Sequence, residues 1–496
     1  APTPGRPPSR GMGVQASVCD APAPGPSGDD SLLFCCRRIP YSYSHCTLFT
    51  GSMNSKLNGS SPSAPATPRR QRHLVLHMDI NKTIIMSDKV SGKTREDVVN
   101  EVISDVAWGA EVDGSWKLLF PEPRTLRPRP EPGGQELVSY AEHLEKLLPG
   151  SGNKKRRMQL LTTFTLPGEP GEVFARHADR LCAALRNPDG SDVHIITSFF
   201  ELLLDLKREK RSFTVCFRTF GEDMESVLAE FNGFCEGRHP RYPEVRMDGS
   251  DGGPDYRVLS RDPSRCGTFH RQDGVTSLVM GTWEQPGEGK YKAAADRSLS
   301  FYKAEIPDTE IIVGLKEVHG YLARRISRSG TLCLRDYHQY WKSKGQTSCG
   351  GKVLFLECGR MRAARPHQMF FDDNIRFDDA YIIQPVEVSD PDRKFWVSPL
   401  LRTHLCRAIP WESISDAQWF VKQVKRLEAG FERQMRARER LLFFMHMMMT
   451  SRYKLAKIRL AREKAACKSV GYDAWKGLRR NDQEISARCH DEDPSS

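Results

Sequence analysis

The 14 cysteines of this 496-residue chain form no CxxC pair, and no Cys/His group has the spacing of zinc ligands. That excludes zinc fingers and thioredoxin-type redox motifs. The thiols read as reduced and mostly buried, which implies a cytoplasmic or nuclear setting. No apolar run approaches the ~20 residues of a membrane-spanning helix, so no membrane span is expected. No signal peptide is recognisable, and there is no internal repeat. The chain opens at Ala1 rather than Met, and Met53 is a candidate natural start. His194, His270 and His338 have no partner at zinc or catalytic-triad spacing. Ser91-Gly92-Lys93-Thr94 echoes the end of a phosphate-binding P-loop, but the first glycine of that motif is missing. Hydrophobic residues make up only 39%, which points to stretches outside any core.

Those stretches are easily placed. Residues 1–70 are rich in Pro, Gly, Ser and Ala and are expected to be disordered, as is the tail 481–496. The net charge of +11 suits acidic partners, above all phosphate. Nucleic acid is compatible with the charge, but no nucleic-acid-binding motif accompanies it.

Order begins at His73-Leu74-Val75-Leu76-His77-Met78, a short apolar run that predicts a buried strand ending in Asp79. Phe213–Phe217 predicts a second strand, set between helices over 195–206 and 222–234. Helix, strand, turn, helix is the rhythm of a parallel α/β sheet. Further helices are expected over 171–186 and 310–326, and short strands at 276–280, 332–334, 353–356 and 369–371. A strand at 381–383 is expected to be closed by Pro385, and 121–136 reads as a loop. From about 413 the pattern is helical. Residues 431–467 carry ten Lys or Arg against three acidic residues, around an apolar run from Leu441 to Met449. That run is apolar all round, which predicts burial, and the extension is a candidate surface for a protein partner.

The expected fold class is α/β: a doubly wound, Rossmann-like, mostly parallel sheet flanked by helices, spanning 73–400. A cap or insertion at about 84–190 and a basic helical C-terminal extension at 410–480 complete it. In such sheets ligands bind beyond the carboxyl ends of the strands. Three polar signatures lie at such ends: Asp79-Ile80-Asn81-Lys82-Thr83, Arg218-Thr219, and Asp372-Asp373. Carboxylates from two strand ends can share a hard cation such as Mg²⁺, while a hydroxyl and a lysine hold phosphate oxygens. That is equipment for phosphoryl transfer.

In this order the signatures resemble the motifs of the haloacid dehalogenase superfamily of aspartate-nucleophile phosphatases. These motifs are a strand followed by D-x-D-x-T, a strand ending in Thr or Ser, a lysine, and an apolar strand ending in an acidic pair. The resemblance covers roughly residues 73–390. It implies that Asp79 is the nucleophile forming an aspartyl-phosphate and that Thr219 binds the phosphoryl group, with Thr83 and Arg218 as further substrate contacts. Asp79, Asp372 and Asp373 would be the Mg²⁺ ligands, and a phosphorylated molecule the substrate. The motif lysine is Lys352, Lys342 or Lys344; Lys352 is favoured because it leads a strand.

One position departs from the pattern. Asn81 stands where the family has its acid/base aspartate, and a carboxamide neither gives nor accepts a proton near pH 7. The expectation is therefore a weak Mg²⁺-dependent phosphohydrolase or phosphotransferase; the alternative is a non-catalytic binding or scaffold protein of the same fold. On the sequence alone, Asn81→Asp is expected to raise turnover by about an order of magnitude or more.

Overall fold

A computed structural model describes residues 72–86, 93–129, 134–221, 223–259, 262–282, 299–305, 309–357 and 365–468. The segments expected to be disordered, 1–70 and 481–496, lie outside the described residues. The strands are β1 (Leu74–Asp79), β2 (Trp108–Val112), β3 (Ser115–Leu118), β4 (Leu137–Ser139), β5 (Phe213–Thr219), β6 (Cys266–Gln272), β7 (Val275–Met280), β8 (Glu310–Val313), β9 (Gly330–Arg335), β10 (Lys352–Leu356), β11 (His367–Asp372), β12 (Ile383–Glu387) and β13 (Leu405–Arg407). The helices are α1 (Arg95–Val106), α2 (Tyr140–Leu147), α3 (Lys154–Thr162), α4 (Ala175–Ala184), α5 (Thr197–Arg208), α6 (Met224–Cys235), α7 (Leu299–Glu305), α8 (Leu315–Arg325), α9 (His338–Ser343), α10 (Val397–Leu401), α11 (Pro410–Ser415) and α12 (Trp419–Lys468).

The central sheet has the order β13-β11-β1-β5-β9-β6-β7-β8. Its first six strands are parallel, and β7 and β8 are added antiparallel at one edge. The fold is thus α/β, with a mostly parallel sheet flanked by helices and a long C-terminal helix. β1 lies inside the sheet with both faces covered, which is why Leu74–Met78 is an almost unbroken apolar run. One face carries Leu74, Leu76, Phe213, Val215 and Phe217, packed under Phe199, Phe200 and Leu203 of α5, Phe231 of α6 and Phe420 and Val424 of α12. The opposite face, with Val75 and Cys216, is covered by Val318 and Leu322 of α8 and by Val353 and Phe355 of β10. β10 pairs with β12 in a separate two-stranded parallel sheet.

The interval after β1 folds as α1 to α4 around a three-stranded antiparallel sheet, β3-β2-β4. A capping box fixes the start of α1: the Thr94 side chain accepts from the Asp97 amide, and the Asp97 side chain accepts from the Thr94 amide.

Some expectations are corrected. Residues 310–313 form β8 rather than the start of a helix; Gly314, at φ 101°, turns the chain into α8. Pro385 does not end a strand but lies within β12, opposite Leu354, because a two-stranded sheet leaves an edge where no amide hydrogen is needed. β6, which pairs antiparallel with β7, has no counterpart among the strands expected from the sequence. The largest difference is in α12. Trp419, Phe420, Val421, Val424 and Leu427 are buried, but Leu441–Met445 and Met447–Met449 are exposed. A 50-residue helix is ~75 Å long, so it overshoots the core that anchors its first turns. No helix among the described residues is long and apolar enough to cross a membrane.

Candidate active site

Parallel pairing decides what meets at the carboxyl edge of the sheet. β1 lies between β11 and β5, with Met78 opposite Phe371 and Asp79 opposite Arg218. Asp79, Asp372 and Thr219 therefore end neighbouring strands. One oxygen each from Asp79, Asp372 and Asp373 lies within 4.8 Å of the others. Lys352, at the start of β10, reaches this cluster from the layer above: its Nζ donates to Asp79 Oδ1 and, at 2.8 Å, to Asp372 Oδ2. Lys352 is only 2% exposed, whereas Lys342 and Lys344 are at the surface, so burial selects Lys352 as the lysine of the site.

The loop after β1 closes tightly. The amides of Thr83, Ile84 and Ile85 all point to the Ile80 carbonyl, and Lys82 takes a φ of 57°. This turn buries Thr83 completely. Its hydroxyl donates to Asp79 Oδ2 at 3.3 Å and accepts from the Asp373 amide at 3.1 Å. Thr83 thus ties two carboxylate-bearing elements together and does not line the cleft. The Asn374 amide, 2.9 Å from Asp372 Oδ1, fixes the third carboxylate.

Burial pushes Asp79 well above the ordinary aspartate value; Lys352 opposes this, and Asp372 and Asp373 add to it. Burial, then repulsion from Asp372, pushes Asp373 up to about 7. Burial disfavours the Lys352 charge, but Asp372 and Asp79 outweigh it and hold its pKa above that of a free lysine. This is an excess of buried negative charge that a divalent cation would relieve. Carboxylate oxygens are the donors a hard cation prefers, so the three together could hold a metal ion.

A cleft of about 330 Å³ opens over the cluster, lined by Asp79, Asn81, Lys82, Thr219, Gly221, Lys352 and Asp373, among others. Its far wall comes from α1, through Val98, Glu101, Val102 and Asp105. Lys93 is bonded to Glu101 at 2.7 Å. Asp105 lines the cleft with its side chain exposed there; desolvation by the surrounding protein pushes its carboxyl up to about 6, with Lys82 opposing. A raised folded-state value gives a contribution to stability that is fully present below the unfolded value of ~3.9 and lost as pH rises through about 6. Solvent screening at the exposed carboxyl makes the effect small, so Asp105→Asn is expected to raise the melting temperature by about a degree or two at pH 7.5 and to leave it unchanged at pH 4; thermal melts at the two pH values check this.

A second candidate, like Thr83, takes another place. Arg218 is 1% exposed and is committed beneath the cleft. Its Nε and Nη2 donate to the two oxygens of Asp336 at 2.8 and 2.6 Å, its Nη1 donates to the Val353 carbonyl, and its guanidinium lies over the rings of Phe269 and Phe370. Successive residues of a strand point to opposite faces, so Arg218 turns away from the face on which Thr219 meets the cleft. Thr219 is buried at the cleft wall, and its hydroxyl accepts from the Gly221 amide at 2.8 Å.

Sequence reading missed two acidic residues. Asp336 neutralises Arg218. Asp223 stands at the first turn of α6, and its Oδ2 accepts from Asn81 Nδ2 at 2.7 Å. Neither has a signal in the sequence, because each is recognisable only by its partner, 118 and 142 residues away. Compared with protein-family models, curated proteins and solved structures, the chain matches none.

Proposed function

We propose that this protein is a Mg²⁺-dependent phosphohydrolase or phosphotransferase acting on a small phosphoester through an aspartyl-phosphate on Asp79. The observation that carries this reading is the convergence of the Asp79, Asp372 and Asp373 oxygens within 4.8 Å, on the floor of a cleft. Asp79 is held by Lys352 and Thr83, which leaves little freedom in the direction of attack. Lys352 offsets the charge of nucleophile and phosphoryl group. The Thr219 hydroxyl at the wall is placed to donate to a phosphoryl oxygen. An ion on the carboxylates would supply further charge neutralisation and orientation. The cleft volume suits a small molecule, and the α1 wall, from the segment inserted after β1, is placed to select it.

The test is hydrolysis of an activated aryl phosphate with Mg²⁺, with EDTA, and with Asp79→Asn. Activity that needs the metal and the aspartate supports the proposal; turnover indifferent to either sinks it.

A second reading, assembly with a protein partner through α12, is favoured by one observation: the exposed apolar residues Leu441–Met445 and Met447–Met449. A chain ended at Arg440 is expected to remain active and to lose any self-association seen by light scattering in the full chain.

A further inference from the structure

The apparent defect of the site is Asn81, which cannot exchange protons. The structure sets a carboxylate against it. Asp223 occupies the N-cap position of α6, where aspartate ordinarily accepts from the helix's first amides, yet its side chain makes no capping bond. It turns instead to Asn81, whose Nδ2 donates to Asp223 Oδ2 at 2.7 Å. Asn81, Thr219 and Gly221 all line the cleft. A methyl group added at Gly221 would fall 3.0 Å from Asp223 Oδ2, 3.3 Å from Asn81 Nδ2 and 3.4 Å from Thr219 Oγ1. The Asp223 carboxylate therefore sits directly behind three groups that line the cleft, and Gly221, which has no side chain, is all that stands at that point of the wall.

We propose that Asp223 is the general acid and base of the phosphoryl transfer, with Asn81 orienting it. The proposal rests on the reading of Asp79 as nucleophile. Asn81 donates to one carboxylate oxygen, which leaves the other to carry the proton. In the first step an Asp79 oxygen bonds to phosphorus, the bond from phosphorus to the leaving oxygen breaks, and the Asp223 proton passes to that oxygen. An alcohol departs, leaving aspartyl-phosphate and an Asp223 carboxylate. In the second step Asp223 takes a proton from water as the water oxygen bonds to phosphorus. The bond to Asp79 breaks, so inorganic phosphate, free Asp79 and protonated Asp223 are recovered. Two residues thus divide what one aspartate does in the resembled family.

The experiment compares two substrates on the full chain with Mg²⁺: p-nitrophenyl phosphate, whose leaving group needs little protonation, and glycerol 2-phosphate, whose alkoxide needs much. Asp223→Asn keeps a polar partner for Asn81. It is expected to lower glycerol 2-phosphate turnover by about 10²–10⁴-fold. First-turnover release of nitrophenolate should fall by less than tenfold. The exchanged pair, Asn81→Asp with Asp223→Asn, should recover glycerol 2-phosphate turnover to within tenfold of wild type. Asn81→Asp alone sets two carboxylates in contact and should lower turnover, opposite to the gain expected from the sequence.

Equal losses on both substrates in Asp223→Asn, no loss on glycerol 2-phosphate, or a tenfold gain in Asn81→Asp alone would each overturn the assignment while leaving Asp79 as nucleophile. Turnover that survives Asp79→Asn, or a wild type inactive on both substrates, would instead overturn the phosphohydrolase reading, and this inference with it.

Discussion

Asp79→Asn is expected to lower phosphoryl transfer by about 10³-fold or more, the scale on which hydrolases respond to loss of a covalent nucleophile. The fold should survive. Asp79 lies with Asp372 and Asp373 in a buried cluster that already disfavours its charge. A neutral amide of the same shape removes repulsion; its one oxygen can accept from Lys352, as Asp79 Oδ1 does, while its NH2 faces the Thr83 hydroxyl and donates to it, reversing the bond that Thr83 gives Asp79 Oδ2. Melting of the metal-free variant should therefore occur at or above the wild-type temperature while steady-state hydrolysis disappears. A variant that loses activity by unfolding would show the reverse thermal shift, and that result would remove the case for Asp79 as nucleophile. A second readout is independent of turnover: mass spectrometry of protein quenched during hydrolysis should find a phosphoryl adduct on wild type and none on the variant.

Lys352→Met should damage both stability and activity. The ammonium is buried and bonded to two carboxylates, Asp79 and Asp372. Methionine fills most of its volume but leaves those charges unpaired. Removing one partner from a buried ion pair costs about 3–5 kcal/mol. Mg²⁺ should restore part of this, because the ion supplies the charge the lysine did, and a ligand that binds only the folded state stabilises it by mass action. Millimolar Mg²⁺ is thus expected to raise the melting temperature of Lys352→Met more than that of wild type. Equal shifts would mean that the carboxylates do not share an ion. Activity should stay low even with Mg²⁺, since the metal cannot also take the lysine's place beside the phosphoryl group.

Much of the frame was legible because burial on both faces writes a simple signature. Leu74–Met78, Phe213–Phe217 and Met369–Phe371 are apolar runs ending in polar residues, and each is a central parallel strand. Their order also located Asp79, Thr219, Asp372 and Asp373 at one edge. Arg218 shows where that reading stops. It neighbours Thr219 in the chain, but pleating sends it to the opposite face, where Asp336 and two aromatic rings hold it. Thr83 was legible as part of the site but not in its role, because its position as a tie depends on where the Asp373 amide arrives. The run Leu441–Met449 looked like core because composition reports only that a segment is apolar, not whether a partner lies within reach.

The sequence by itself determined the α/β alternation, the buried strands and the residue types gathered at their ends, since these follow from local periodicity and the demands of a core. Only the tertiary structure decided which of three lysines enters the site, which way Arg218 faces, and that Asp223 meets Asn81. Those outcomes depend on register and on layers brought together over more than a hundred residues. Contacts at such separations are set by the packing of the whole domain, so no local pattern encodes them.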